Sequence, residues 1–433
     1  MKKRLNYKNK KILTNGGQVM ITMVMLLLAS SLIILGGVSS PVVKDIKILR
    51  NLEESKQSFS LSEGVTEDLV YRIKNGINFS DTEVLSVNGA TATATTAIIV
   101  DKREVVSVSD KNNVIRTTRA LLAQGDGVSF NYGVQSGEGG IHMKNSSSVS
   151  GNIYSNGPVT GANSNITSGD VVSAGPSGLI DGVHATGSGY ANTITDSEID
   201  TDAYYQSISG TTVGGTSFPG SADQATSSLP ISDSMIESWE ATAQAGGIIN
   251  SPCPYVINSD ETLGPVKIEC DLEIKGSPNV TLEGHVWVAG NISIENSADI
   301  RISPSIGGAS IAMIADNPSD RLESSKVEIE NSAQFFGSGS SGSYVLVVSQ
   351  NNGAENGTPD EAIEVENSAN GDLLIYAGHG DILLKNSISL KEVTGYQITI
   401  VNNAEVVYET GLANLLFTSG PSGGFNIDSW LEI

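Results

Sequence analysis

The chain has 433 residues, with 25 Lys and Arg against 48 Asp and Glu, and a net charge of -23. Only 17% of residues are charged and 5% are aromatic, while glycine takes 47 positions; this composition fits short strands joined by many tight turns and argues against a helical enzyme. The acidic balance excludes a nucleic-acid binder, which needs basic patches to displace counterions from phosphate.

Residues 1–17 carry Lys2, Lys3, Arg4, Lys8, Lys10 and Lys11 and no acid. An apolar run follows from Val19 to Val38. Twenty residues at helical rise span about 30 Å, the thickness of a bilayer core. A basic flank before such a run stays on the cytoplasmic side, so the rest of the chain is expected outside. Three readings fit. A prepilin-type leader would be cut before the run, between Gly17 and Gln18. A plain anchor would stay uncut. An ordinary secretory signal would be cut after it, near 29–31. Pro41 is expected to kink or interrupt the helix. Beyond it Val43, Ile46, Leu49, Leu52, Phe59, Leu61, Val65, Leu69 and Ile73 keep helical spacing. They predict an amphipathic continuation, so that helix covers 18–76 and stops at Asn75-Gly76.

The stretch Ser58-Phe59-Ser60-Leu61-Ser62-Glu63-Gly64-Val65-Thr66-Glu67-Asp68-Leu69-Val70-Tyr71-Arg72 resembles the corresponding stretch of PilX-type minor pilins. With the Gly17-Gln18 junction and the apolar helix, the chain resembles a type IV pilin-like protein over about residues 10–76. The resemblance implies cutting by a prepilin peptidase and pilin-like subunits as partners. One departure stands out. Pilins carry glutamate as the fifth residue of the cut chain, and here that residue is Thr22. A minor or accessory subunit is therefore expected, not the main subunit of a filament.

Residues 77–127 predict a small β-rich domain packed on the end of the helix, with strands at 84–87, 97–100 and 104–108. Turns are expected at Asn88-Gly89, Asp101-Lys102 and 110–113. Further on, an apolar-x-apolar-x-Asn pattern recurs, ending at Asn296, Asn331, Asn367, Asn386 and Asn402, with an earlier copy at Asn145. Counting the strands at Ile311 and Val345, the starts 292, 311, 327, 345, 363, 382 and 398 are 19, 16, 18, 18, 19 and 16 apart. One strand per nearly fixed step is a solenoid signature. The predicted class is mainly β, a parallel β-helix with coils of about 16–20 residues, preceded by a long N-terminal α-helix. Seven such coils would span about 30 Å. Inward residues alternate with outward ones, and Asn at the turns can hydrogen-bond from coil to coil. A β-sandwich with evenly spaced strands is the plainer alternative. A first β-helix section is expected over 128–215, a linker with a short helix from Asp233 to Ala245 over 216–250, and a second section over 251–433. Ser232 is the expected N-cap and Gly246-Gly247 the stop.

The Gly-Asn and Gly-Asp corners near 151–152 and 169–170 resemble bactofilin-like β-helices. Leu229-Pro230-Ile231-Ser232, Trp239, Leu263-Gly264-Pro265 and Val286-Trp287-Val288-Ala289-Gly290-Asn291 resemble the exported β-helical region of PilX-like proteins.

Chemistry is sparse. His142, His184, His285 and His379 stand far apart, fit no zinc spacing and are expected at surfaces or turns. Nothing resembles a phosphate loop or a nucleophile elbow. Asp196, Glu198, Asp200 and Asp202 share a parity that would put them on one strand face, a candidate calcium site. Cys253 and Cys270 lie one coil step apart and are expected to form a disulfide in an exported chain. Glu328, Glu330, Glu364 and Glu366 should be exposed, with Val327, Ile329, Ile363 and Val365 buried. The acid-bearing strands are expected two coils apart, which would dilute their repulsion. Two functions fit. One is a non-catalytic pilin-like surface protein, anchored through Val19 to Val38 or pilus-associated, displaying a β-helix for adhesion or assembly, with a surface polysaccharide or other cell-surface ligand as partner. The other is a membrane-tethered polysaccharide-active enzyme.

Overall fold

The computed structural model describes residues 16–74, 80, 82–99, 102–125, 127–358, 360–409, 412, 415–418 and 424–433. Helix α1 (Gly16–Lys74) runs 59 residues with Pro41 inside it, so the predicted interruption does not occur. The proline removes one amide hydrogen bond, which a helix of this length can absorb near a membrane. The expected stop at Asn75-Gly76 and Asp101 of the predicted turn lie outside the described residues.

Four antiparallel strands follow: β1 (Thr82–Val87), β2 (Ala90–Ile99), β3 (Lys102–Lys111) and β4 (Val114–Gly125). Asn88 and Gly89 both take positive φ, 51° and 75°, which a two-residue hairpin turn requires. The apolar stripe of α1 (Val65, Leu69, Val70 and Ile73) packs on Ala92, Ala94, Val105, Ala120 and Leu122. Alanines let the helix approach closely. Ser58 and Ser62 then donate 2.8 Å hydrogen bonds to the carbonyls of Ser109 and Ser107. The fifth strand of this sheet is the C-terminal one, Gly424–Glu432, antiparallel to β4. The end of the chain therefore leaves the section expected over 251–433 and completes the small sheet. Trp430 packs against the core it shares with α1.

Between β4 and the C-terminal strand the chain builds one long stack of short parallel strands, in sheets of 22 and 12 strands. At about 4.8 Å per strand, twelve layers, or rungs, extend roughly 53 Å. Inward residues form one continuous apolar core, including Ile141, Ile180, Ile274, Ile300, Phe335 and Ile382. Burying each side chain of this size contributes about 1.5–3 kcal/mol relative to exposure.

The order in space is not the order in sequence. The chain enters mid-stack at Val134 and builds outward to Pro219. A segment, 220–231, returns along the flank. Helix α2 (Asp233–Gly246) follows, and Ser232 precedes it without a side-chain cap bond. The stack restarts at its far end with Ile248 and builds back until Val393–Val401 pairs with Val134–Lys144. The two sections thus meet at a seam, the second one's last rung against the first one's first.

The repeat also differs from expectation. Ile292, Val327 and Ile363 are direct neighbours, 35 and 36 residues apart. Ile311 and Val345 form a separate column. The apparent 16–20 step merged two columns, because long excursions such as 316–326 and 350–358 leave the stack between strands. At the other end the repeat shortens to 14, as Gly189, Ala203 and Ser217 stack.

The asparagines form a ladder. Each Nδ2 donates to the next Oδ1 from Asn163 to Asn145, Asn402, Asn386, Asn367 and Asn331, at 3.0–3.2 Å. All six take left-handed φ between 54° and 63°. The ladder crosses the seam between Asn402 and Asn145. A second ladder runs along a corner. The side chain of Asn152 accepts the amide of Asp170, and that of Asp170 accepts the amide of Ser188, at 2.9 and 2.7 Å. Gly169 is required there, since a Cβ would stand 2.4 Å from Asn152 Oδ1.

Asn402→Gly removes the ladder bonds and keeps the backbone relaxed; Asn402→Ala adds left-handed strain. We expect losses of about 1 kcal/mol for glycine and about 2 kcal/mol or more for alanine. Thermal unfolding of the two variants should rank alanine below glycine, and the reverse order would show that the turn conformation does not matter.

Candidate functional site

An 18-residue window within α1 has a mean hydropathy of 2.5 and no buried residue, enough by length and composition to cross a membrane. Residues from Val19 to Val38 are almost all exposed. Thr22 returns its hydroxyl to the carbonyl of Val19, 2.9 Å away. The backbone at Gly17 and Gln18 is already helical, and residues 1–15 of the expected leader lie outside the described residues.

A second apolar core lies on the flank of the stack. The outward side chains Ala312, Ile314, Leu346, Val348, Leu374 and Tyr376 are covered by α2, through Met235, Ile236 and Trp239, and by Val128, Phe130, Leu415 and Phe417. Acid–base contacts clasp α2 in place. His379 lies between Asp233 of α2, at 3.1 Å, and Glu355, at 2.7 Å. Burial disfavours its charged form, but hydrogen bonds to both carboxylates outweigh this and raise its pKa. Buried Glu240 is raised well above the carboxylate range by desolvation and by Asp316, with Arg321 opposing. Arg321 grips Asp316 with two 2.7 Å bonds.

His285 was expected at a surface or turn. It is instead fully buried, its Nδ1 accepting the amide of Ala312 at 3.0 Å and its Nε2 3.0 Å from Thr418 Oγ1. No sequence spacing separates such a histidine from an exposed one. His142 is half-buried, 2.7 Å from Thr160 Oγ1, with its pKa lowered by burial and then by Lys144.

Val327, Ile329, Ile363 and Val365 are buried. Of the glutamates between and after them, Glu328 is exposed, whereas Glu330, Glu364 and Glu366 are half-buried against adjacent rungs. Glu328 faces Glu364 directly, so the carboxylates are not diluted as expected. Lys385 pairs with Glu364 and, at 2.8 Å, with Glu366. Glu330 is pushed up to about 7, first by its hydrogen bond with Glu328 and then by desolvation.

The four acids at 196–202 are not on one strand face. Their strand is only Glu198–Ile199, and the chain turns on both sides of it. Asp196 has left-handed φ. Asp202 accepts the amide of Thr216 at 2.8 Å, as a corner residue. Glu198 and Asp200 instead converge on His184, whose Nδ1 is 4.0 Å from Glu198 Oε2 and whose Nε2 is 3.3 Å from Asp200 Oδ1. The histidine comes from the neighbouring rung and was missed because the pairing of rungs is not written in local sequence. On another face Tyr190, Tyr204 and Phe218 stack at 4.6 Å, one per rung. Cys253 and Cys270 form a disulfide with Cα atoms 5.9 Å apart.

No family model matches the sequence, and no curated protein is similar to it. Among solved structures, the competence-associated pilin ComZ from Thermus thermophilus is similar at 9% identity over 88% of this chain and 97% of that one, with a TM-score of 0.30.

The contacts of α2 make stability depend on pH. Both His379 and Glu240 bind their protons more tightly in the folded chain, so their contribution is complete in acid. It is lost as pH rises, from above the carboxylate range for Glu240 and above 6.5 for His379. Glu240→Gln imitates the protonated acid. It should unfold at the same temperature as the parent at pH 4 and at a higher one at pH 9; equal curves at both would refute the raised pKa. Glu330→Gln should likewise stabilise the chain at pH 9 relative to pH 5, read by the same melts.

Proposed function

We propose that this chain is a non-catalytic, type IV pilin-like surface protein, anchored in the membrane by the first part of α1 and displaying a parallel β-helix outside the cell. One observation supports this above the others: a single continuous helix exposes its apolar first half and embeds its second half in the small sheet. A bilayer, or the helices of neighbouring pilin-like subunits, would cover the exposed half.

The stack is carried as an insertion. It leaves the small sheet after β4 and returns before the C-terminal strand. Its two connections run side by side, with Val128 paired to Leu415. Such an arrangement holds the stack out from the anchoring unit, suited to meeting a surface polysaccharide or another cell-surface ligand. Three short strands per rung, stacked in parallel, favour the β-helix over a sandwich. Six basic residues before the apolar run favour a cytoplasmic leader and an extracytoplasmic body. A prepilin peptidase would cut between Gly17 and Gln18. Thr22 offers no carboxylate for a neighbour's new amino terminus, which favours a minor or accessory place in any filament.

Gly17→Leu should leave an uncut precursor in the membrane, 17 residues longer than the mature chain. Amino-terminal sequencing of membrane-extracted protein should find Gln18 first in the parent. An unchanged size in the variant would favour a plain anchor, and a mature terminus beyond Ser31 an ordinary secretory signal.

A further inference from the structure

We propose that His184, Glu198 and Asp200 bind a divalent metal ion of the zinc class at the outer arm of the stack. One donor atom from each lies within 4.8 Å of the other two. A tetrahedral zinc ion with bonds of about 2.0–2.2 Å needs donors about 3.4 Å apart. His184 Nε2 and Asp200 Oδ1 already stand at 3.3 Å. Glu198 Oε2 stands 4.0 Å from the other ring nitrogen, Nδ1, and its exposed, flexible side chain can swing to the Nε2 side to complete the set. The backbone under the donors is fixed by the parallel ladder. His184 and Glu198 are register partners on adjacent rungs, as are Ala185 and Ile199. The amide of Asp200 is held by the carbonyl of Ala185 at 2.9 Å. Two carboxylates and one imidazole leave a fourth corner for water.

An independent observation points to a cation from solution. No Lys or Arg occurs between Lys144 and Lys267. On the arm itself, from 170 to 202, the chain holds six acids: Asp170, Asp181, Asp196, Glu198, Asp200 and Asp202. Its sole histidine is His184. Asp170, Asp181 and Asp202 each accept a hydrogen bond from the adjacent rung. Glu198 and Asp200 approach only His184 among ionic partners in the described residues. This arm therefore concentrates negative charge without a fixed cation to oppose it, which raises the local concentration of divalent ions. Imidazole then selects among them. Calcium and magnesium prefer an all-oxygen shell, whereas zinc, nickel and copper favour nitrogen.

His379 also stands between two carboxylates, and it serves as a control. Like His184, it has a carboxylate at each ring nitrogen, Glu355 at 2.7 Å and Asp233 at 3.1 Å, but those two are its whole set among the described residues. It does not form a converging set of three donors among the described residues.

The test is a zinc titration of the full chain in detergent micelles at pH 7.5, followed by calorimetry. One tight site per chain is expected. His184→Ala and Glu198→Gln should each weaken it tenfold or more, while His142→Ala and His379→Ala leave it unchanged. A millimolar calcium background should not displace the zinc. Copper bound in place of zinc should show nitrogen coupling in its electron paramagnetic resonance spectrum, lost in His184→Ala. Melting of that variant without metal should match the parent, which separates lost ligation from lost folding. Zinc affinity within threefold of the parent in His184→Ala, loss of the tight site in His379→Ala, or displacement by calcium would each overturn the assignment.

Discussion

Parallel stacking at about 4.8 Å dominates this molecule, because it forces each residue to share its outward column with the residue one rung away. What a side chain gains or loses depends on how its type behaves beside another copy of itself. Asparagine does well, since its amide both donates and accepts, so Asn402 bonds Asn386 and Asn145 at once. Flat rings do well, as Tyr190, Tyr204 and Phe218 demonstrate with interplanar angles of 4° and 7°. Carboxylates do badly, and the stack answers with Lys385 beside Glu364 and Glu366, while Glu328 raises the pKa of Glu330. At a corner such as Gly169, where the next rung leaves no room for a Cβ, only glycine fits.

The same constraint explains what was legible in the sequence. The apolar-x-apolar-x-Asn phase was visible because inward residues and ladder asparagines must recur together. The column assignment was not. Ile311 and Val345 look like further repeats of Ile292 and Val327, and only the pairing shows that they belong to another column. The flank core covering them was half legible: strands apolar on both faces need a cover, but nothing local says that α2 supplies it. The C-terminal strand was illegible for a related reason. Its partner, β4, lies some 300 residues earlier, and antiparallel pairing leaves no repeat to recognise.

Candidate functional residues followed the same divide. Glu198 and Asp200 stood out as acids of equal parity, yet their meeting with His184 depends on rung register. The shape of the charge distribution would have been the better signal, since a run from 170 to 202 with six acids, one histidine and no Lys or Arg is readable without any structure. Buried His285 had no comparable mark.

The return segment sets the dimensions of the stack. It starts beside Tyr205, whose carbonyl holds the amide of Gly220, and ends where Tyr376 donates to the carbonyl of Ile231. On the way Tyr154 donates to the carbonyl of Ala225 and Gln135 to that of Ser228. From Tyr204 to Tyr376 the outward column passes Tyr190, Val172, Tyr154, Gln135 and Thr394, six steps in all. Six steps cover about 29 Å, and the eleven residue steps from 220 to 231 reach at most about 36–40 Å. The segment is thus a ruler with slack for about one more rung. Inserting two rungs between Tyr204 and Tyr376 would demand about 38 Å and exhaust it. Growth of the stack in this interval by more than about one rung must therefore be matched by roughly one to two further residues per rung in a connection that adds nothing to the core.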